Sequence, residues 1–550
     1  MHKSLLALVA ALFASPVFAE TLISNVNGIT VDADGKLEHF GALLIDDNGR
    51  VESVIKFPTP RVKRYDRLID GHGRTLLPGL IDAHGHVLGL GFSALQLDLV
   101  GTSSLDDLKA RLKAYAAAHP DARWIQGRGW NQELWPVKQF PTAADLDSVV
   151  SDRPVVLERV DGHAIVVNTS AMKAAGVTSS TPAPAGGRIE NGLFVDNATN
   201  LITRAVPPAT PTENDRALAK AQDILLSYGV TGVGSMSTSR ADWQAMRRSG
   251  EARRLNVRVM VYADAFDLED SKNPEPTPWL YGDRLRWVGI KMYADGALGS
   301  RGAWLKEPYA DKPDTRGLRF HSDEEIWSRA EIAAFSGFQL AIHAIGDAAN
   351  AQVISTYERL AKKYGRDARW RIEHFQIADP ADIPRLAPAG IIASMQPTHQ
   401  TSDRLMAEKR LGPDRLAGAY AWRSVLNSGA RLAFGTDFPV ESPNPFPGLA
   451  AAVSRQDMQG QPPGGWIPGE RLTFAQALSA YTRGAAYAGF AEDRIGSLEP
   501  GKWADFILVD RDPTRVDAQS VARTKVLETW VGGKKVWARA PKASPTERGK

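Results

Sequence analysis

Histidine, lysine and aspartate residues that could hold metal ions recur along the middle of the sequence. The first two, His84 and His86, are separated by a single glycine. In an extended strand, side chains two positions apart point to the same side, so both imidazoles would face one point. Neutral imidazoles suit zinc and similar divalent ions. Four further candidates follow in chain order, and they are Lys291, His343, His374 and Asp437.

Each of these candidates has an ordinary structural explanation when it is taken alone. A single histidine after a buried strand is usually a core residue, and Asp437, which precedes Phe438-Pro439, fits a turn or helix-cap aspartate. A lysine flanked by apolar residues, as Lys291 is, usually forms a salt bridge. The joint pattern favours one site, because a single metal centre explains all of these residues and their order.

Apolar β-type runs precede the candidates and predict how the chain positions them. The run Leu76–Ala83 leads to His84, and runs of the same kind lead to the four later candidates. From about residue 77 to residue 488, such runs alternate with helical patterns, which indicates a parallel sheet with crossover helices. In a parallel barrel the carboxyl ends of the strands meet at one face, so the candidates would gather there. Periodicity alone leaves an open doubly wound sheet as an alternative.

Short β-type runs at both ends of the chain predict a second, smaller unit. Residues 20–77 contain such runs, separated by turns, and residues 489–540 contain a strand at 504–510 and a hairpin around Gly532-Gly533. We predict that both ends pair into one small β-sandwich beside a barrel of residues 78–488. The segment of about 95–225 is long for one loop and is predicted to be an insert. Residues 541–550 are predicted to be a tail.

The composition is that of an ordinary globular chain and excludes several kinds of site. The 550 residues are 43% hydrophobic with a formal net charge of +3, and no basic cluster points to a nucleic-acid partner. The absence of cysteine excludes disulfides, thiolate metal ligands and a cysteine nucleophile. Beyond the N-terminal segment, no apolar stretch is long enough for a membrane span.

Residues 1–19 have the pattern of a cleavable signal peptide. His2 and Lys3 precede an apolar run from Leu5 to Phe13, and small residues lead to Ala19. We therefore expect cleavage after Ala19 and an exported, periplasmic protein, with a buried N-terminal helix as the alternative.

Five further motifs give the sequence a resemblance to a known family. They are Gly127-Arg128-Gly129-Trp130, Asp161-Gly162-His163, Ala294-Asp295-Gly296-Ala297-Leu298-Gly299-Ser300-Arg301, Gln396-Pro397-Thr398-His399 and Gly496-Ser497-Leu498-Glu499-Pro500-Gly501-Lys502-Trp503-Ala504-Asp505. Together with the ordered metal candidates and the segment Pro78–His86, they resemble the amidohydrolase superfamily. The finer matches are similar to its amidohydrolase-3 branch, the group that resembles N-substituted formamide deformylase. The resemblance extends over roughly residues 21–538.

The resemblance implies an α/β fold, a (β/α)8 TIM barrel with a flanking small β-sandwich formed by both chain ends. In such enzymes His84 and His86 would bind the more buried metal, and His343 and His374 would bind the other. Lys291 would be carboxylated by CO2, so that its carbamate bridges both ions. Asp437 would be a ligand and the proton shuttle. We expect two zinc ions, with manganese or iron as alternatives, and a single-metal enzyme if Lys291 is not carboxylated.

The resemblance also implies hydrolysis of an amide-like C–N bond, of the N-acyl or N-formyl amine type, in a small-molecule substrate. A metal-bound hydroxide would attack the carbonyl, and Asp437 would take its proton and deliver it to the leaving amine. The alternatives are an ester, lactone or carbamate hydrolase, a metal-dependent isomerase or lyase, and a non-catalytic exported binding or regulatory protein. All six candidate ligands are present, which argues against the last of these. A homodimer is an open option.

Four other residues are candidates for the substrate site. His163 would polarise the substrate carbonyl or bind the leaving group, with a lid-packing role as the alternative. Trp130 either lines the pocket or packs in a core, and Arg301 and His399 are candidate substrate contacts. The segment Gly89–Ala94 formally fits a dinucleotide-binding fingerprint, but the metal pair directly before it already explains that strand end.

Overall fold

Eight parallel strands form the central sheet in the computed structural model, which describes residues 20–56 and 65–540 apart from 161, 163, 179, 185, 186, 265, 267 and 269–271. Each strand pairs in parallel with the next one along the chain. We call them barrel strands 1 to 8, in the order Leu80–Gly85, Val230–Thr238, Arg258–Ala263, Leu285–Tyr293, Gln339–Ala344, Arg371–His374, Ile392–Met395 and Arg431–Phe434.

Barrel strand 8 returns to barrel strand 1, which confirms the predicted (β/α)8 barrel and excludes the open sheet. The backbone N–H of Asp437 donates to the carbonyl of His84 at 2.7 Å. The Asp82 carboxylate accepts from the hydroxyl of Thr436 at 2.7 Å and from its backbone N–H. Gly435 permits this approach, because a Cβ there would lie 2.5 Å from both the Asp82 carboxylate and the His84 nitrogen.

Helices surround the barrel and their apolar faces join its main core. Many of them begin at a side-chain cap, as at Thr210, Ser239 and Ser322, where an acidic residue three positions later completes a capping box. The outer helices are Val87–Leu95, Pro211–Ser227, Arg240–Glu251, Asp323–Phe335, Asp347–Tyr364, Pro397–Leu411, Trp422–Asn427, Pro445–Ser454 and Ala518–Ala522.

A further helical segment closes the end of the barrel opposite the candidate residues. It consists of Phe474–Ser479, a π-helical turn at Ala480–Gly484, and Ala485–Ala488. Tyr262 and Gln339 donate hydrogen bonds to the carbonyl of Ala488 at 3.2 and 3.0 Å. Because Gln339 is the first residue of barrel strand 5, this segment covers the amino ends of the strands and leaves the carboxyl ends accessible.

Two smaller sheets pack beside the barrel, and the six-stranded one contains strands from both ends of the chain, as expected. The C-terminal strand Phe506–Val509 pairs antiparallel with Thr75–Pro78, and Ile23 and Trp530 share one core between the sheets. The four-stranded sheet contains Val51–Ile55, Ala42–Ile45, Thr21–Ser24 and Arg67–Asp70. The six-stranded sheet contains Lys534–Ala538, Val526–Val531, Phe506–Val509, Thr75–Pro78, Asn27–Val31 and Leu37–Phe40.

The predicted insert has its own sheet and its own core, but it is shorter than expected. Its strands are Leu97–Asp98, Ile125–Trp130, Val155–Arg159, Ala164–Val167, Gly187–Glu190 and Leu193–Asp196. Its helices are Leu105–Ala118, Ala143–Asp147, Thr169–Ala174 and Asn200–Thr203. The prediction of about 95–225 is corrected at its end, because Leu218 and Leu225 of the helix Pro211–Ser227 pack in the barrel core. No helix in the described ranges is long and apolar enough to cross a membrane.

Candidate metal centre

The carboxyl ends of five barrel strands bring the six predicted metal ligands to one cavity of about 560 Å³. Two of them belong to barrel strand 1 and the residue after it, and Asp437 follows barrel strand 8. The others end barrel strands 4, 5 and 6. The six residues on the cavity wall are His84, His86, Lys291, His343, His374 and Asp437. Their assignment as ligands remains a prediction that metal analysis can test.

The Asp437 carboxylate lies at the centre of this cluster. Its Oδ1 atom is 3.1 Å from Nε2 of His86 and 3.5 Å from Nε2 of His84. The ring of His374 lies 4.7 Å from that of His84, between centroids, and 4.6 Å from that of His343. The ligand-type atoms of His84, His86 and Asp437 all lie within 4.8 Å of one another. This spacing is short enough for the three groups to share one ion.

A buried ion pair orients the ring of His84 from behind. Nδ1 of His84 lies 2.6 Å from Oε2 of Glu373, and the guanidinium of Arg371 donates to both oxygens of that carboxylate, at 2.7 and 3.1 Å. All three side chains are buried. A hydrogen bond at Nδ1 fixes the ring and leaves Nε2 directed toward the cavity.

His374 has a hydrogen-bond partner of the same kind, and a buried carboxylate lies near His343 without a hydrogen bond to its Nε2 atom. Nδ1 of His374 lies 2.8 Å from the side-chain oxygen of Gln396, and Nε2 of His343 lies 3.5 Å from the buried carboxylate of Asp295. Asp295 also accepts the backbone N–H groups of Ile345 and of two other residues. Hydrogen-bond partners behind a metal-binding ring hold its orientation, so the contact of His374 with Gln396 fits a metal centre.

Lys291 is buried, with 3% of its surface exposed. Within the described part of the chain no carboxylate forms an ion pair with it, and its Nζ atom lies 5.0 Å from the centre of the Tyr293 ring. Burial lowers the pKa of Lys291 to about 8. The salt bridge considered from the sequence is therefore not formed with any described residue, and burial brings the amine closer to its neutral form than an ordinary lysine.

The charge states of the cluster fit a divalent cation. Burial, with the nearby Lys291 charge, lowers the pKa of His84 to about 4 and that of His343 to about 3, so both rings are neutral at pH 7. Burial alone would raise the pKa of Asp437, but His84 and the hydrogen bond with His86 hold it well below its usual range. Neutral imidazoles beside a carboxylate are the donors that zinc binds in proteins.

Two residues of the cluster have left-handed backbone conformations that are uncommon outside glycine. The φ angle is 76° at His374 and 60° at Asp437. Such conformations cost on the order of 1–3 kcal/mol each and are concentrated at functional sites. The sharp turns they produce direct both side chains into the cavity at the strand ends.

Of the two predicted substrate contacts His399 and Arg301, only His399 lines the cavity. The Nε2 atom of His399 is 3.8 Å from Oδ2 of Asp437. The guanidinium of Arg301 instead pairs with Asp311 at 2.9 Å, although the adjacent Ser300 lines the cavity. Arg301 itself is not among the described residues that line the cavity, and its role as a substrate contact stays a prediction.

The prediction for Trp130 as a pocket residue is corrected. Its side chain is fully buried in the core of the insert, and the indole N–H donates to the carbonyl of Leu157 at 2.8 Å. The alternative weighed from the sequence, a core role, is the one it adopts. His163, the second predicted catalytic residue, lies outside the described residues.

Several residues of the site were not found from the sequence. The sequence could have indicated Glu373, because Arg371 and Glu373 lie two positions apart in a buried strand and so share one face, where they can form an ion pair. Gln376 and Asp403 line the cavity without any comparable pattern. The rest of the wall is largely apolar and includes Tyr293, Leu298, Ile345, Met406 and Val440.

Comparison with known proteins agrees with this geometry. The model of a family described as "Amidohydrolase family" matches residues 67–537. Protein LONG AFTER FAR-RED 3 of Arabidopsis thaliana is 34% identical over 95% of this chain and 92% of its own length. N-substituted formamide deformylase of Arthrobacter pascens is 27% identical over 94% of this chain and 97% of its own length. An uncharacterized metal-dependent hydrolase from Pyrococcus horikoshii, known from a crystal structure, has a TM-score of 0.79 at 27% identity, covering 91% of this chain and 99% of that one.

Proposed function

This chain belongs to the amidohydrolase family and is a metal-dependent hydrolase, and from that premise we propose that it hydrolyses an amide-like C–N bond in a small molecule. The bond is of the N-acyl or N-formyl amine type. The observation that carries the proposal is the position of the Asp437 carboxylate, on the cavity wall and in contact with the histidine cluster. A base and a proton carrier are needed where water attacks a carbonyl and an amine leaves.

The six clustered side chains would hold two divalent ions, with His84 and His86 binding one and His343 and His374 the other. Lys291 would join them as a carbamate, because an amine cannot bridge two cations and a carbamate can. The burial of Lys291 without an ion-pair partner in the described chain supports this assignment. Zinc is the expected metal, with manganese or iron as alternatives. Bound ions of this kind polarise a carbonyl and lower the pKa of water.

Asp437 would act as the base and then as the acid of the reaction. Its carboxylate accepts a proton from the attacking water as the new C–O bond forms. It then delivers that proton to the leaving nitrogen as the C–N bond breaks. The rings of His84 and His86, at 3.5 and 3.1 Å, hold the carboxylate in place.

The choice of a C–N bond is supported by the formamide deformylase relative, whose whole length this chain covers almost completely. An ester, lactone or carbamate presents a similar carbonyl to the same site and is the second candidate. A screen of matched N-formyl amines, N-acyl amines and the corresponding esters would decide between them. We expect turnover of the amides or formamides, and turnover of esters alone would overturn the proposal.

Metal content per chain tests the binuclear assignment directly. Elemental mass spectrometry should find close to two equivalents in the wild type and one or fewer in Lys291→Ala. Lys113→Ala, which changes an exposed lysine of the insert, is the matched control and should keep both. One equivalent in both wild type and Lys291→Ala would indicate a single-metal hydrolase. No metal in either protein, after growth with zinc or manganese, would contradict the proposal.

We also propose that the protein is exported. The apolar run from Leu5 to Phe13 and the small residues before Glu20 support this. N-terminal sequencing of the protein from its native host should begin at Glu20, and an intact Met1 in the mature protein would contradict export by this route.

A further inference from the structure

His399 presents an unpaired nitrogen to the substrate cavity. It lies in the first turn of the helix Pro397–Leu411, directly after barrel strand 7, and only 6% of its surface is exposed. Its Nε2 atom has no hydrogen-bond partner among the described residues and is 3.8 Å from Oδ2 of Asp437. A buried polar atom without a partner is unfavourable, so this position favours a ligand that supplies one.

The other ring nitrogen shows where the proton of His399 lies. Nδ1 is 3.0 Å from the side-chain nitrogen of Gln376. A side-chain NH2 group can only donate, so Nδ1 accepts and the neutral ring carries its proton on Nε2. The orientation of the Gln376 amide is itself determined, because the same nitrogen lies 3.4 Å from the Asp403 carboxylate, and Asp403 also accepts from the Tyr420 hydroxyl at 2.8 Å.

This tautomer separates His399 from the metal ligands. The side chains of His374, His399 and Asp437 are close enough to hold an ion by distance alone. A ring that carries its proton on Nε2, however, has no lone pair on the atom that faces the cavity. His374 differs, because its Nδ1 atom contacts the side-chain oxygen of Gln396 and so donates, which leaves Nε2 free to bind a cation.

We propose that His399 is a catalytic residue that donates a hydrogen bond from Nε2 to the substrate carbonyl oxygen, and that Gln376 is the positioning residue that fixes its tautomer. The inference rests on the proposed hydrolysis. When water adds to the carbonyl carbon, the electron pair of the C=O bond moves to oxygen and negative charge develops there. A hydrogen-bond donor stabilises that oxygen, whereas the leaving nitrogen needs the proton that Asp437 carries. His399 keeps its own proton throughout.

Replacement of His399 tests the donor directly. Removal of one preorganised donor to a developing oxyanion lowers kcat by about 10²–10³-fold. We expect that loss in His399→Ala with little change in KM, and partial recovery in His399→Gln, whose amide can donate. His119→Ala, in an exposed histidine of the insert, is the control and should leave kcat unchanged.

Two measurements that need no substrate test whether His399 is a hydrogen-bond donor or a metal ligand. They are the metal content of His399→Ala and the tautomer of His399 in the wild type. His399→Ala should keep the wild-type number of metal equivalents, and loss of one would make His399 a ligand and overturn the proposal. In ¹⁵N-histidine NMR spectra, the signals that disappear in His399→Gln should show an unprotonated Nδ1 and a protonated Nε2 in the wild type. A proton on Nδ1 would overturn the role of Gln376. Failure to find any amide substrate would instead count against the proposed function.

The variant Gln376→Glu tests the positioning role. A carboxylate at this position would accept from Nδ1, so the proton of His399 would move there and Nε2 would become an acceptor. We expect kcat to fall about as far as in His399→Ala, with the tautomer reversed in the NMR spectrum. Gln376→Met, of similar size but without a hydrogen bond, should lose less activity. Equal, small losses in both variants would show that Gln376 has only a packing role.

Discussion

Asp437 lies 3.1 Å from His86 and 3.8 Å from His399, so its carboxylate faces both the histidine cluster and the substrate side of the cavity. In Asp437→Asn the amide keeps the size of the side chain but cannot accept and release the proton. General acid–base groups contribute about 10²–10⁴-fold to rates, so kcat should fall by that range. Steady-state assays with the best amide substrate measure the loss.

Circular dichroism and thermal melting of the same Asp437→Asn preparation are its controls, since both should match the wild type. Near-normal kcat in a folded variant would remove Asp437 from the chemistry and leave it as a structural contact.

Glu373 neutralises Arg371 in a place that water does not reach, and it also contacts His84. Glu373→Gln would leave the buried guanidinium without a counter-charge, and breaking such a pair costs about 3–5 kcal/mol. We expect a lower midpoint of urea unfolding and weaker metal retention. Glu358→Gln breaks a half-exposed pair with Arg385 and serves as the control, with an unchanged midpoint. Equal effects of the two substitutions would show that the buried pair has no special role.

At the residue scale, the sequence could reveal the ligands but not the residues behind them. Strand ends carry a local signal, whereas the contact between His84 and Glu373 joins residues 289 positions apart. Trp130 was misplaced because a motif does not show which way a side chain turns. The ion pair of Arg301 with Asp311 could not be predicted, because Asp311 lies in a loop without a regular pattern.

At the element scale, barrel closure depends on the close approach of barrel strands 1 and 8. A Cβ at Gly435 would lie 2.5 Å from the Asp82 carboxylate and from the His84 nitrogen, so Gly435→Ala should push the two strands apart. Overpacking of this kind costs about 1–3 kcal/mol, and it would also displace His84. The melting temperature of Gly435→Ala and its metal content per chain should both be lower than in the wild type. Gly469→Ala is the control, because nothing lies within 4 Å of a Cβ there.

If Gly435→Ala had the melting temperature of the wild type and kept its metal, closure of the barrel would not depend on this contact.

The alternation of strands and helices predicted the barrel itself, because each parallel strand needs a crossover helix. The helix Pro211–Ser227 was assigned to the insert, since an amphipathic pattern does not show which core receives its apolar face.

At the scale of the whole molecule, the barrel and the insert have separate cores. Trp130, Leu108 and Leu157 pack within the insert, whereas the metal candidates are held by barrel strands and the residues that follow them. A unit with its own core can lose stability without the rest of the molecule. A substitution in the core of the insert can therefore show whether the barrel and its metal centre depend on the insert.

Trp130→Ala distinguishes an independently folded insert from one on which the metal centre depends. Removing a buried tryptophan costs about 3–5 kcal/mol, and here it also leaves the carbonyl of Leu157 without its donor. Hydrogen exchange should become faster across residues 97–203, while barrel strands 1 to 8 keep their protection and the metal content stays at the wild-type value. Ala175→Gly, at the end of a short insert helix, is a milder control. Loss of metal together with the insert's protection would show that the insert holds the carboxyl face of the barrel in its binding arrangement.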